Sequence, residues 1–134
     1  MQEELQMPEI SLFVGALLAL IQVPMTLAVG LRRRALKISF LDGDDDILLR
    51  RIRGHANFTE TVPIAIIAMA AAEVFGAATP VLWAGGCLLV FGRLAHYWAV
   101  QKIESGAIRF AFMLFTLIPM AGFSLFALAA YLTR

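Results

Sequence analysis

The chain has 134 residues, of which 60% are hydrophobic and only 16% are charged, and its formal net charge is +1. This composition excludes an ordinary soluble domain, in which roughly 25% of residues are charged. The length allows a single membrane domain over residues 1–134, because each spanning helix needs about 20 apolar residues. A basic cluster surrounds the first connection, and the positive-inside rule explains it without a nucleic-acid partner. The cluster consists of Arg32, Arg33, Arg34, Lys37, Arg50, Arg51 and Arg53.

Four apolar segments predict an all-α integral membrane protein with four transmembrane helices. The predicted helices cover residues 10–30, 46–75, 80–101 and 107–132. An acidic leader (Glu3, Glu4, Glu9) precedes the first segment and the basic cluster follows it, which is the reverse of a cleavable signal peptide. We therefore expect this segment to be retained. Lys102 and Arg109 flank the third connection, so the first and third loops are expected in the cytosol and both termini on the opposite side.

The sequence predicts no metal site. Aspartates alternate in residues 42–46, as they do in a calcium loop, but a twelve-residue loop counted from the first of them needs glycine at its sixth position and glutamate at its twelfth. Ile47 and Arg53 stand there instead. We expect a solvated turn whose aspartates cap the second helix. Cys87 is the single cysteine of the chain, which excludes an intrachain disulfide or a multi-cysteine metal site.

Two predicted helices carry polar or ionisable side chains at helical spacing. These are Arg53, Asn57 and Glu60 in the second helix, and Arg93 and His96 in the third. A charge near the bilayer centre costs roughly 2.5–3.5 kcal/mol, so such residues normally face a bundle interior or a polar cavity. At about 100° per residue the three residues of the second helix share one face, whereas His55 points the other way. A binding site fits this stripe, and so does an internal salt bridge from Glu60 to Arg53 or Arg93.

The segment from Arg53 to Pro63 resembles the Arg-x-x-x-Asn-x-x-Glu-x-x-Pro signature of the MAPEG superfamily, the membrane-associated proteins in eicosanoid and glutathione metabolism. The likeness extends to residues 92–97, to Arg109 at the start of the fourth helix and to the four-span length, and it is closest to small bacterial inner-membrane members. The resemblance implies a homotrimer in that membrane, with glutathione held between subunits near the cytosolic side. It also implies glutathione transferase or peroxidase activity on a lipophilic second substrate taken from the bilayer.

The resemblance also implies a role for individual residues. The implied glutathione contacts are Arg34, Arg53, Asn57, Glu60, Arg93 and His96. Guanidinium groups suit the two carboxylates of glutathione, an amide suits its peptide groups, and a carboxylate suits its ammonium. Which of Arg32, Arg33 and Arg34 turns towards the site stays open. His96 is equally compatible with a structural hydrogen bond between helices.

Arg109 is the candidate catalytic residue, because a nearby cation favours the thiolate form of glutathione. The alternative is that Arg109 only forms the positive flank of a span. Two positions depart from the family pattern: Val100 stands where many members have a tyrosine, and Thr61 where some have an aromatic residue. Glutathione binding is therefore a firmer prediction than thiol activation. The competing interpretation is a non-enzymatic membrane protein whose polar stripe is structural.

Overall fold

The computed structural model describes residues 7–133, so Glu3 and Glu4 of the acidic leader lie outside the described residues. Within that range the chain is all-helical and has no strand, as predicted. Its helices are α1 (Glu9–Leu36), α2 (Asp46–Val74), α3 (Thr79–Lys102) and α4 (Gly106–Leu132). By length and composition α1, α2 and α4 are able to cross a membrane. The remaining helix, α3, which carries Arg93 and His96, does not belong to this set.

The first helix is longer than predicted. It continues to Leu36 instead of ending near residue 30, whereas the bounds of the other helices agree with the prediction to within one residue. The apolar segment ends before the arginines, but arginine is a good helix former and its long side chain reaches polar surroundings from a helical backbone. The helix ends at Lys37, which has a left-handed backbone with φ of 57°. The amide N–H groups of Lys37 and Ile38 donate to the carbonyl oxygens of Arg34 and Arg33.

The first connection is fixed by Asp45. Its carboxylate accepts a hydrogen bond of 2.7 Å from the backbone N–H of Leu48 and thereby caps α2, as expected for the aspartates of this turn. The same carboxylate pairs with Arg32 of α1, with Nη2 to Oδ2 at 2.6 Å and Nε to Oδ1 at 3.1 Å. The arginine first, and then the Leu48 amide, lower the pKa of Asp45. The carboxylate therefore keeps both contacts at neutral pH and loses them only as the pH falls through that lowered pKa.

At the opposite end of the bundle, Glu73 caps α1 from another helix. Its buried carboxylate accepts hydrogen bonds from the backbone N–H groups of Ile10 (2.9 Å) and Ser11 (2.8 Å) and from the Ser11 hydroxyl (2.6 Å). The residue before the helix, Pro8, supplies no side-chain cap. Glu73 thus satisfies donors that have no partner within α1 and places a negative charge at the positive end of the helix dipole.

The helices pack around α2, which contacts each of the others, whereas α1 and α4 do not meet within the described part of the chain. The backbones of α3 and α4 approach closely at Gly92. A Cβ atom at this position would lie 2.7 Å from the Phe115 Cβ and 3.1 Å from the Phe115 carbonyl carbon. Glycine is therefore required here for the two backbones to approach, a common device where no hydrophobic effect drives helices together in lipid. The next residue, Arg93, is carried into the interface of α2, α3 and α4.

Glu73→Ala should lower the stability of the folded protein by about 2 kcal/mol or more, because several donors at the start of α1 lose a charged acceptor. We would measure thermal unfolding in mild detergent. Glu9→Ala is the matched control, since Glu9 is an exposed acid in the first turn of the same helix. Equal melting temperatures for the two variants would refute the capping role of Glu73.

Candidate functional site

One polar cavity of about 270 Å³ lies among α2, α3 and α4. Its lining residues are Arg53, Ala56, Asn57, Glu60, His96, Val100 and Arg109. Residues from α2 recur at intervals of three and four positions, so they lie on one face of that helix. The structure thus brings five of the seven proposed site residues to one cavity. Arg34 and Arg93 do not line it.

The side chains of two oppositely charged residues in the cavity have no partner within the described chain. Arg53 and Glu60 are both exposed, and neither forms a hydrogen bond or ion pair with any residue from 7 to 133. The salt bridge from Glu60 to Arg53 or Arg93, considered from sequence, is not formed. The described ion pairs lie elsewhere, between Arg32 and Asp45, Arg50 and Glu104, and Arg109 and Glu104. The two charges remain available to a ligand or a neighbouring molecule.

Arg93 lies behind the cavity and is 1% exposed. Its Nη1 donates to Asn57 Oδ1 and to Thr61 Oγ1, both at 2.8 Å, and its Nη2 lies 3.0 Å from Met113 Sδ. No carboxylate of the described chain pairs with it. The resemblance had implied direct ligand contact for Arg93, but in this structure its guanidinium contacts α2 and α4 from within the bundle. The close approach at Gly92 accounts for this depth, because it draws α3 against α4.

The two histidines occupy opposite sides of the bundle. His96 is buried at the cavity wall and donates to or accepts from no described residue, so the structural hydrogen bond considered for it is not formed. His55 lies on the other face of α2, as predicted, and its Nε2 is 2.9 Å from the Oγ1 of Thr26 on α1. Of the two imidazoles, only that of His96 faces the cavity.

Arg109 reaches the cavity while it is anchored to the connection between α3 and α4. Its Nε donates to the Ile103 carbonyl at 2.7 Å, and its Nη2 donates to the Glu104 carbonyl at 3.2 Å and lies 3.9 Å from the Glu104 carboxylate. Nη1 donates to no described residue. A fixed guanidinium with one unpaired nitrogen is the arrangement that a developing anion can use. Arg109 is thus both a helix-flank residue and a cavity cation.

Arg34 is exposed near the end of α1 and does not line the cavity. The helix that carries it packs against α2 and α3 and does not touch α4, which supplies Arg109. Sequence reasoning missed two residues around the site, Thr61 and Glu104. Thr61 lies one helical turn after Asn57, so the periodicity of α2 could have indicated it. Glu104 lies in a connection, where no periodic signal exists.

A larger groove of about 510 Å³ runs between α3 and α4, and no ionisable side chain lines it. Its walls are formed by Ala77, Ala78, Val81, Ala84, Gly85, Leu88, Ile118, Pro119, Gly122, Phe123 and Phe126. Such a surface offers apolar contact and no group for acid, base or nucleophilic chemistry. The smaller polar cavity is therefore the candidate site.

Comparison with known proteins identifies the family. The sequence model of the MAPEG family matches residues 11–129. The chain belongs to the MAPEG family. The inner membrane protein YecN of Escherichia coli (strain K12) is 34% identical to this MAPEG protein over 89 residues, which are 66% of this chain and 68% of YecN. The protein of the same name from Escherichia coli O6:H1 (strain CFT073) matches to the same extent. The resemblance inferred from the Arg53–Pro63 motif is confirmed, and the chain is a MAPEG membrane protein.

Because Arg53 and Glu60 do not contact each other, their contributions to stability should be independent. In a double-mutant cycle with Arg53→Gln and Glu60→Gln, we expect a coupling energy below about 0.5 kcal/mol in ligand-free protein. Thermal unfolding of the four proteins in detergent measures it. The Arg32→Gln and Asp45→Asn cycle is the positive control, since that pair is in contact. A coupling for Arg53 and Glu60 as large as that of the control pair would restore the salt-bridge interpretation.

Proposed function

We propose that this protein is an integral inner-membrane homotrimer that binds glutathione between neighbouring subunits. The bound thiol would then act in a glutathione transferase or peroxidase reaction on lipophilic electrophiles or hydroperoxides. The observation that carries the proposal is a set of polar side chains around one cavity, each of which has at least one polar atom without a partner in the described chain: Arg53, Asn57, Glu60, His96 and Arg109. The name of the YecN relative supports the inner membrane, family membership supports the ligand class, and the cavity supports the chemistry.

The cavity complements the charges of glutathione, which carries two carboxylates, one ammonium group and one thiol. Arg53 and Arg109 supply guanidinium groups for anionic oxygens, and Glu60 supplies an acceptor for the ammonium. The Asn57 amide and the His96 ring supply hydrogen bonds to the peptide groups. This set has more donors than acceptors, which fits a ligand with a net negative charge.

A trimer would explain why Arg53 and Glu60 are exposed on a helix that is able to span the membrane. Charged side chains within the bilayer normally face protein or a water-filled cavity and are not left against lipid. The cavity volume of about 270 Å³ also lies slightly below the ~300–1,000 Å³ usual for ligand sites, so a second wall is needed. A neighbouring copy would supply that wall, and the exposed Arg34 at the end of its α1 would supply a further cation.

The proposal also includes the number of membrane spans and the side of the membrane that each connection faces. The fourth span is α3, whose buried Arg93 is shielded by α2 and α4, and the bundle therefore crosses the bilayer four times. The basic connections α1–α2 and α3–α4 face the cytosol under the positive-inside rule. The polar cavity lies beside these connections, so water-soluble glutathione would enter from the cytosol. The lipophilic substrate would arrive from the bilayer.

In the proposed chemistry, the unpaired Nη1 of Arg109 stabilises the thiolate of glutathione. In conjugation, the sulfur forms a bond to an electrophilic carbon while a leaving group departs or a proton is taken up. In peroxide reduction, two glutathione molecules become a disulfide while the hydroperoxide becomes an alcohol and water. Because Val100 provides no hydroxyl group beside the cavity, the positive charge of Arg109 would activate the thiol without that additional donor.

The alternative is a non-enzymatic MAPEG-like protein whose intramembrane polar stripe is structural. One contact favours it, namely the hydrogen bonds of Arg93 with Asn57 and Thr61, which join α2 and α3 without any ligand. The unpaired charges of Arg53 and Glu60 favour the binding site, because structural polar groups are normally satisfied within the fold.

Arg53→Ala and Glu60→Gln should each weaken glutathione binding at least tenfold, because each removes a charge that complements the ligand. Isothermal titration calorimetry in mild detergent measures the affinity, and size-exclusion chromatography with light scattering follows the trimer. Lys102→Ala and Glu9→Gln are the matched controls, since both residues are exposed and lie outside the cavity. Unchanged affinity in the Arg53 and Glu60 variants would exclude this cavity as the site. No binding by the unmodified protein would favour the structural alternative.

Arg109→Ala should largely retain glutathione binding and lose most of the thiolate signal, because it removes the cation next to the sulfur. The ultraviolet difference spectrum at neutral pH reports the bound thiolate, and calorimetry on the same sample reports binding. Arg109→Lys keeps the charge and should recover part of the signal. The same thiolate yield in Arg109→Ala and unmodified protein would remove Arg109 from the mechanism.

A further inference from the structure

The buried guanidinium of Arg93 has an incomplete set of partners. Nη1 binds two oxygens of α2, and Nη2 lies against the sulfur of Met113. The remaining nitrogen, Nε, is buried without a partner within the described residues. A guanidinium at 1% exposure with no carboxylate beside it is costly in an apolar bundle. The two oxygens that accept hydrogen bonds from it, those of Asn57 and Thr61, are neutral and do not offset its charge. Both belong to α2, the helix that contributes most of the cavity lining.

The chemistry of the contact fixes the orientation of the Asn57 side chain. A guanidinium only donates hydrogen bonds, so the atom of Asn57 that faces Arg93 Nη1 at 2.8 Å must be the carbonyl oxygen Oδ1. The amide nitrogen Nδ2 then points away from Arg93. Asn57 lines the polar cavity, and its Nδ2 donates to no described residue. The amide therefore has its acceptor turned to the core and its two N–H donors free.

Thr61 holds Arg93 in the position that makes this orientation possible. Its Oγ1 accepts from the same Nη1 at 2.8 Å, and its own hydroxyl donates to the Asn57 backbone carbonyl at 2.8 Å. Arg93, Asn57 and Thr61 thus form a closed set of hydrogen bonds one turn long on α2. Thr61 is not a lining residue of the cavity, so its influence on a ligand must pass through the other two.

We propose that Arg93 is a positioning residue that selects for anionic ligands by fixing Asn57 as a donor towards the cavity, with Thr61 as its second anchor. This role rests on the proposed glutathione site. Arg93 does not touch the ligand in this assignment. It removes the acceptor of Asn57 from the cavity and leaves Glu60 as the carboxylate that can receive the single ammonium group. The long-range positive charge of Arg93 adds to the preference for an anion.

The decisive variant is Asn57→Asp, because positioning and structural roles predict different combinations of results. A carboxylate at this position gives the buried guanidinium an opposite charge, so the melting temperature in detergent should rise. It also removes both N–H donors from the cavity and adds a negative charge, so the affinity for glutathione should fall at least tenfold. A higher melting temperature together with unchanged affinity would overturn the positioning role. A lower melting temperature would overturn the Arg93–Asn57 contact itself.

Thr61 variants supply a second, milder test. Thr61→Val keeps the shape and removes the hydroxyl, so the affinity for glutathione should fall about fivefold through the loss of one hydrogen bond to Arg93. Thr61→Ser keeps the hydroxyl and should restore the affinity. Thr116→Val is the matched control, because Thr116 is a buried threonine whose Oγ1 has no hydrogen-bond partner in the described chain, whereas the Oγ1 of half-buried Thr61 contacts Arg93. Equal affinities for Thr61→Val and Thr116→Val would contradict the role of Thr61.

The two proposals fail in different ways. If the unmodified protein does not bind glutathione in calorimetry, the proposed function is wrong, and the melting temperature of Asn57→Asp still decides whether Arg93 fixes that side chain. If the unmodified protein binds glutathione but the Asn57 and Thr61 variants bind it equally well, the ligand site stands and the positioning role of Arg93 is wrong.

Discussion

The central constraint on this bundle is the satisfaction of polar groups inside an apolar medium. Lipid offers no hydrogen bonds, so each buried donor must find its acceptor within the protein. The Nη1 and Nη2 of Arg93 meet this constraint through the side chains of Asn57 and Thr61 on α2 and of Met113 on α4, whereas its Nε has no acceptor in the described chain. A single guanidinium on α3 therefore joins three helices. The glycine before it lets α3 and α4 approach closely enough for these contacts to form.

At each end of the α1–α2 pair, a carboxylate satisfies polar groups of the helix ends. Glu73 of α2 satisfies the first donors of α1, and Asp45 satisfies a donor of α2 while it pairs with Arg32 of α1. Each carboxylate therefore joins α1 to α2 at one end of the pair. Charges placed near the ends of helices cost less than charges at the centre of a span, because polar surroundings are within reach. The packing of α1 against α2 is thereby fixed in register, whereas α4 depends on contacts from α2 and α3.

The fold was largely predictable because the length of a spanning helix is set by the bilayer and the apolar segments stand out in the sequence. The grouping of Arg53, Asn57 and Glu60 on one face was predictable for a similar reason, since the helical period is fixed. Other features depend on packing between elements. Glu73 and Ser11 are separated by 62 positions and form no periodic pattern. The depth of Arg93 depends on how closely α3 approaches α4. The first helix extends beyond the apolar segment because the arginines that follow it are also good helix formers.

Arg93 and Arg53 differ in whether the bundle supplies hydrogen-bond partners for their guanidinium groups. Both are arginines on helices of the same bundle, yet Arg93 is buried with oxygen partners and Arg53 is exposed without any. A fold that served only structure would gain nothing from leaving Arg53 and Glu60 unpaired about two helical turns apart on α2. Sequences satisfy local rules almost everywhere and break them mainly at functional sites. The charges of Arg53 and Glu60 therefore mark the side of α2 that is not satisfied within the described chain. Arg93 lies behind them, and its Nη1 holds the Asn57 carbonyl oxygen and the Thr61 hydroxyl from within the bundle.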